Sequence, residues 1–75
     1  MHKTLADLAI GKQARVIDFK DATIAGKLLE MGCLPGEIVS LEYSAPMGDP
    51  IAISLSGYLL SMRKAEAATV TIEMI

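Results

Sequence analysis

Four short runs in this chain place apolar side chains at every second position: Val39, Leu41 and Tyr43; Ile51, Ile53 and Leu55; Tyr58, Leu60 and Met62; and Val70, Ile72 and Met74. Apart from Leu59, polar or small residues fill the positions between them, among them Ser40, Glu42, Ser54, Thr71 and Glu73. A two-residue period with one apolar face marks a half-buried strand, and runs this short cannot be amphipathic helices. Turn formers separate the runs: Gly48-Asp49-Pro50 after the first, and Ser56-Gly57, with the positive-φ capacity of a tight hairpin, between the second and third. A further strand is expected from Ala14 to Phe19, which is rich in β-formers, with Val16 on one face and Ile17 and Phe19 on the other. Five short strands in 75 residues point to a small barrel, because closure removes edges that so small a sheet would leave open.

One segment has the other period. Ile24, Leu28 and Met31 recur at helical spacing behind Asp21, a natural N-cap. Gly32 stands where a left-handed residue ends a helix, and Pro35-Gly36 follows. The spacing predicts a helix of about ten residues between the first and second strands. Gly26 inside it marks either close approach of another backbone or, the favoured reading, an exposed site that tolerates glycine. Thr4 can cap a single turn through Leu8, with Asp7 in the acidic role of a capping box and Gly11 as its stop, and Arg63 to Ala68 has room for one helical turn.

The apolar share is 52%, but ten of those residues are alanine and three are aromatic, so Ile, Leu, Val and Met must build the core. A chain this short forms one small domain over residues 1–75. Its net charge of −2 argues against a duplex-binding protein held by phosphate contacts, so no nucleic acid is expected as partner. The longest uncharged stretch, Pro50 to Met62, is thirteen residues against the roughly 20 of a spanning helix. The first residues lack the apolar region of a secretory signal, and the single cysteine cannot form an internal disulfide; no membrane insertion and a cytoplasmic location are expected.

Three segments in order carry a resemblance: Leu28-Leu29-Glu30-Met31-Gly32-Cys33-Leu34-Pro35-Gly36, then Ala45-Pro46-Met47-Gly48-Asp49-Pro50-Ile51, then Gly57 through Ala67. Together they resemble the FeoA family, small cytosolic components of bacterial ferrous iron transport, over nearly the whole chain. The resemblance implies an SH3-like barrel and work alongside FeoB, a large membrane protein with a cytosolic GTPase domain. It extends more weakly to the SH3-like C-terminal domain of iron-dependent repressors, although no DNA-binding winged helix is expected to accompany it here. The chain departs from the family in two places: only Lys27 is basic where relatives often carry arginine around residues 25–27, and Cys33 replaces an aliphatic or aromatic residue.

Chemical candidates are few. With one His and one Cys, the chain has no C-x-x-C and no H-x-x-x-H, and it offers neither a nucleophile with a base nor paired carboxylates. Its glycines are isolated from one another and form no phosphate loop. No enzymatic activity and no cofactor are expected. Thioethers suit Cu(I) rather than Fe(II), and Met31, Met62 and Met74 fall on expected core faces; Cys33 reads as a small buried hydrophobe. Proline-peptide recognition needs an aromatic-lined groove, for which Tyr43, Tyr58 and Phe19 are too few.

A binding module remains. The Ala45-Pro46-Met47-Gly48-Asp49-Pro50 turn is its most distinctive surface candidate: two prolines fix φ on either side of the reversal, Gly48 permits the bend, and Asp49 is expected to bond nearby amides in an Asx turn. These features suit both a fold-determining turn and a partner contact. Leu34 joins it as a partner-interface candidate, while Gly32, Pro35, Gly36 and Gly57 are structural turns. The first functional reading is an accessory protein that binds the cytosolic region of a FeoB-type transporter. The alternative is a stand-alone metal-binding sensor or carrier in which Asp49, Glu66 and Glu73, with His2, coordinate Fe(II) or Zn(II). Leu29, Leu34, Leu59 and Ile75 lie off the core periodicities beside Met47, from which weak homo-oligomerisation through the helix end and hairpin is expected, the alternative for Leu29 and Leu59 being that they fill the second face of a closed barrel or pack beneath the helix.

Overall fold

The computed structural model of the chain describes residues 3–75. Six strands form one antiparallel sheet: β1 (Lys3–Thr4), β2 (Gln13–Phe19), β3 (Ile38–Ser44), β4 (Ile51–Leu55), β5 (Tyr58–Met62) and β6 (Val70–Met74). Their spatial order is β1-β6-β2-β3-β4-β5. Helix α1 (Ala22–Glu30) joins β2 to β3, and the one-turn helix α2 (Lys64–Ala67) joins β5 to β6. The five expected strands and the inserted helix are all present. The sixth, β1, pairs Lys3 with Ile72 and Thr4 with Thr71, and two residues are too few to show a strand period. A 3₁₀ turn over Leu5–Asp7 follows it, as the Thr4 cap implied. The Asp7 carboxylate accepts from the Thr4 amide at 3.0 Å and from its hydroxyl at 3.2 Å, and those bonds hold Asp7 below its ordinary pKa.

The hydrogen-bonded ladder stays open between β5 and β1 among the described residues, so the barrel is not closed by backbone pairing as expected. Helix α2 and the 3₁₀ turn pack against each other. Leu5 and Ala67 from these two turns are fully buried. The core also draws on Ala14, Val16, Leu28, Cys33, Val39, Leu41, Ile53, Leu55, Val70 and Ile72.

Two bulges correct the expected faces. Between Val16 and Asp18 the β2–β6 register shifts by one residue, so Phe19, expected opposite Val16, packs against the core with it. Between Leu41 and Tyr43 the β3–β4 register shifts likewise, and Tyr43, expected beside Val39 and Leu41, is 56% exposed. Of the three methionines placed on core faces only Met62 is buried. Met31 is the C-cap of α1, past its last inward turn, and Met74 ends β6 beyond the last core residue, Ile72.

The ends of α1 follow their local chemistry. Asp21 Oδ1 accepts from the Ile24 amide at 3.0 Å, and Gly32 adopts φ +89° after the last turn. A Cβ at Gly32 would also lie 2.9 Å from the Tyr58 hydroxyl, whereas a Cβ at Gly26 meets nothing within 4 Å. The two glycines therefore respond oppositely to alanine. Gly26→Ala is expected to stabilise by about 0.5–1 kcal/mol, and Gly32→Ala to destabilise by roughly 1–2 kcal/mol, measured as shifts in the urea midpoint.

Candidate functional site

The turn between β3 and β4 is tied at both its base and its tip. The Ala45 amide donates to the Pro50 carbonyl at 3.0 Å, and the Gly48 amide donates to the Ala45 carbonyl at 2.7 Å with Gly48 at φ +85°. Pro46 and Pro50 carry no amide and fix φ at their own positions. Met47 stands at the tip, 93% exposed, on a backbone tied by those two hydrogen bonds.

Asp49 does not make the local Asx turn expected of it. Its Oδ1 accepts from the backbone amide of Lys64 at 2.9 Å, so it caps the start of α2 from fifteen residues away. A free amide at a helix start is satisfied by such an oxygen as by a residue's own N-cap. Asp49→Ala is expected to remove about 1 kcal/mol of stability in urea denaturation, with the α2 region exchanging its amides faster with deuterium.

Leu34 lies elsewhere. It sits in the turn between α1 and β3, where the Glu37 amide donates to its carbonyl at 3.1 Å, and it is half-exposed. The seven residues of β3 separate this turn from the Ala45–Pro50 turn by about 20 Å at 3.3 Å per residue. The candidate contacts therefore form two patches at opposite ends of one strand. Gly36, at φ +93°, donates to the Val16 carbonyl at 2.7 Å, which fixes the Leu34 turn to β2. The Cys33 amide donates to the Leu28 carbonyl at 2.9 Å.

Helix α2 carries a tie that its sequence does not announce. Glu66 accepts from the Lys27 ammonium at 2.8 Å and from the Arg63 amide at 2.9 Å, binding α1 to α2. The Lys27 bond first, and the Arg63 bond second, hold the Glu66 carboxyl below its ordinary range. Lys27, the basic residue of α1, is thus engaged within the molecule. A glutamate three residues after Arg63 is the one local clue, since it matches the acidic arm of a capping box.

The carboxylates of the metal reading are not brought together. Asp49 holds Lys64, Glu66 holds Lys27, and Glu73 pairs with Arg15 at 3.3 Å. Among the described residues no three His, Cys, Asp or Glu side chains are placed to share a metal ion, and His2 lies outside the described residues. Cys33 is fully buried, and burial together with the nearby Glu37 charge pushes its thiol up, away from the thiolate that ligates metals. No helix among the described residues is long and apolar enough to cross a membrane.

The FeoA domain profile matches residues 3–74. A fusion protein of Porphyromonas gingivalis, described as Fe(2+) transport protein A joined to the Fe(2+) transporter FeoB, is 31% identical over 72 residues. That match covers 95% of this chain and 8% of the fusion protein, so the chain spans a small part of its relative. An FeoA-like protein of Clostridium acetobutylicum superposes with a TM-score of 0.91 at 36% identity, covering 99% of this chain and 87% of that one. FeoA of Stenotrophomonas maltophilia, described as a prokaryotic SH3 domain protein complexed with zinc, superposes at 0.82 with 28% identity, covering 93% and 88%. A manganese-dependent transcriptional repressor, 10% identical, shares the fold at 0.89 over 99% of this chain and 37% of its own. The mainly β, SH3-like architecture and the profile match together place the chain in the FeoA domain family.

Proposed function

We propose that the protein is a non-catalytic accessory of ferrous iron uptake that acts in the cytoplasm by binding the cytosolic region of a FeoB-type transporter. The observation that carries this reading is the fusion relative, in which a domain 31% identical to this chain shares one polypeptide with the transporter. Covalent linkage holds such a pair at about millimolar effective concentration, which is useful to a domain that engages its partner weakly. The chain's own residues support a binding role. One histidine and one buried cysteine supply no catalytic set, while the Ala45–Pro50 turn presents Met47 on a rigid base.

In this reading Met47 is the adaptable apolar contact, flanked by Ala45, Pro46 and Gly48, and Pro50 and Asp49 hold the tip in place. Leu34, at the far end of β3, reaches a second part of the same partner. The reading is tested by ferrous iron uptake in cells that lack this protein and retain the transporter. Loss of uptake, restored by the full chain and not by a chain carrying Met47→Asp, is the expected result. Unchanged uptake in the deletion, with no co-purification of the detergent-solubilised transporter with or without nucleotide, overturns it.

A further inference from the structure

The sheet ends on β5, and its free edge has a definite polarity. Ser56 and Gly57 adopt φ +49° and +84°, the pair of positive values of a two-residue hairpin, with Leu55 and Tyr58 as its closing pair. Hydrogen-bonded and non-bonded pairs alternate along an antiparallel ladder. Tyr58, Leu60 and Met62 therefore share their backbone bonds with β4, opposite Leu55, Ile53 and Ile51. Leu59 and Ser61 turn their N–H and C=O groups away from β4, and no other strand pairs with β5 among the described residues.

Proteins protect such an edge with lysine, proline, a bulge or a covering element. Strand β5 carries no charge and no proline, and its pairing with β4 runs without a register shift. Its outward side chains, Leu59 and Ser61, are exposed, Leu59 at 64%.

From this edge we infer that two copies of the chain pair β5 against β5 in antiparallel fashion, about a twofold axis through Leu60. That register sets Leu59 of each copy opposite Ser61 of the other. It is the register that uses every outward backbone group: two N–H donors and two C=O acceptors per copy give four interchain hydrogen bonds. Shifting the axis to Leu59 would set Ser61 against Gly57, whose positive φ is unsuited to a strand.

The same register places Arg63 of one copy opposite Gly57 of the other, beside Ser56. The Ser56 hydroxyl already donates to Glu37 at 3.3 Å, so a carboxylate stands beside the hairpin turn that the second copy's Arg63 approaches. The twofold axis repeats this complementarity at the other end. On the outward face the small Ser61 leaves room for Leu59 of the second copy. The sheet so extended has twelve strands, six from each copy.

Sedimentation velocity of the purified full chain across about a hundredfold range of concentration tests the pairing. The expected result is a mass that rises from monomer toward dimer, with the Leu59 and Ser61 amides exchanging more slowly in deuterium as concentration rises. Ser61→Pro removes an amide that β4 does not use, and Leu59→Lys adds a charge to the edge; each is expected to weaken dimerisation at least about tenfold while leaving the fold intact. Arg63→Glu should weaken it as well, and Glu37→Arg added to Arg63→Glu should restore it. A concentration-independent monomer overturns the inference. So does a dimer that tolerates Leu59→Lys and Ser61→Pro, since it would be built on another surface such as Met47 or Leu34.

Discussion

Ile53→Ala is expected to bring the protein close to its unfolding midpoint at room temperature. Ile53 is fully buried at the centre of β4, paired with Leu41 on one side and Leu60 on the other. Alanine there removes three buried carbons and leaves a cavity that two flanking strands prevent from collapsing, at a cost of roughly 2–5 kcal/mol. A single core in a chain of this size supplies about 3–5 kcal/mol of net stability, so the loss is comparable with the whole. Ile53→Val, at roughly 0.5–1.5 kcal/mol, should fold and melt lower. Far-UV circular dichroism through a urea titration reads both. An alanine variant that loses less than about 1 kcal/mol would show that β4 does not organise the core.

Met47→Asp is expected to have the opposite profile, leaving stability within about 0.5 kcal/mol while weakening transporter binding tenfold or more. Nothing in the fold depends on a side chain 93% exposed at the tip of a turn. If a partner covers it, the burial is worth about 1.5–3 kcal/mol, and a carboxylate at that place forfeits this and adds desolvation. Met47→Leu keeps the apolar volume and should bind nearly as the parent does. Titration of each variant against the solubilised transporter, with urea melts in parallel, separates a contact from a folding effect.

The strands were legible because each buries one face, and burial on one face writes a two-residue period into the side chains. Asp21, Gly32 and Ser56-Gly57 were legible because caps and positive-φ turns demand particular residues at particular places. The bulges at residues 16–18 and 41–43 were not: one extra residue inverts every later face without changing composition, which is why Phe19 and Tyr43 exchanged sides.

The surroundings of the candidate turn were the least legible. Asp49 looked like a local turn former because aspartate has the same chemistry in an Asx turn and at a helix start, and only the fold brings Lys64 to it. The distance between Leu34 and Met47 is likewise a property of β3, whose length separates two turns that sequence places thirteen residues apart. The Lys27–Glu66 tie joins residues thirty-nine apart, and no periodicity connects them.

Isothermal titration of the purified protein into the detergent-solubilised FeoB-type transporter, with and without guanine nucleotide, addresses the proposed role without passing through the cell. Saturable binding at one protein per transporter chain, weakened by Met47→Asp and retained by Met47→Leu, is the expected result. No heat of binding in any nucleotide state, from a transporter shown to hydrolyse GTP and a protein shown to be folded, would contradict it.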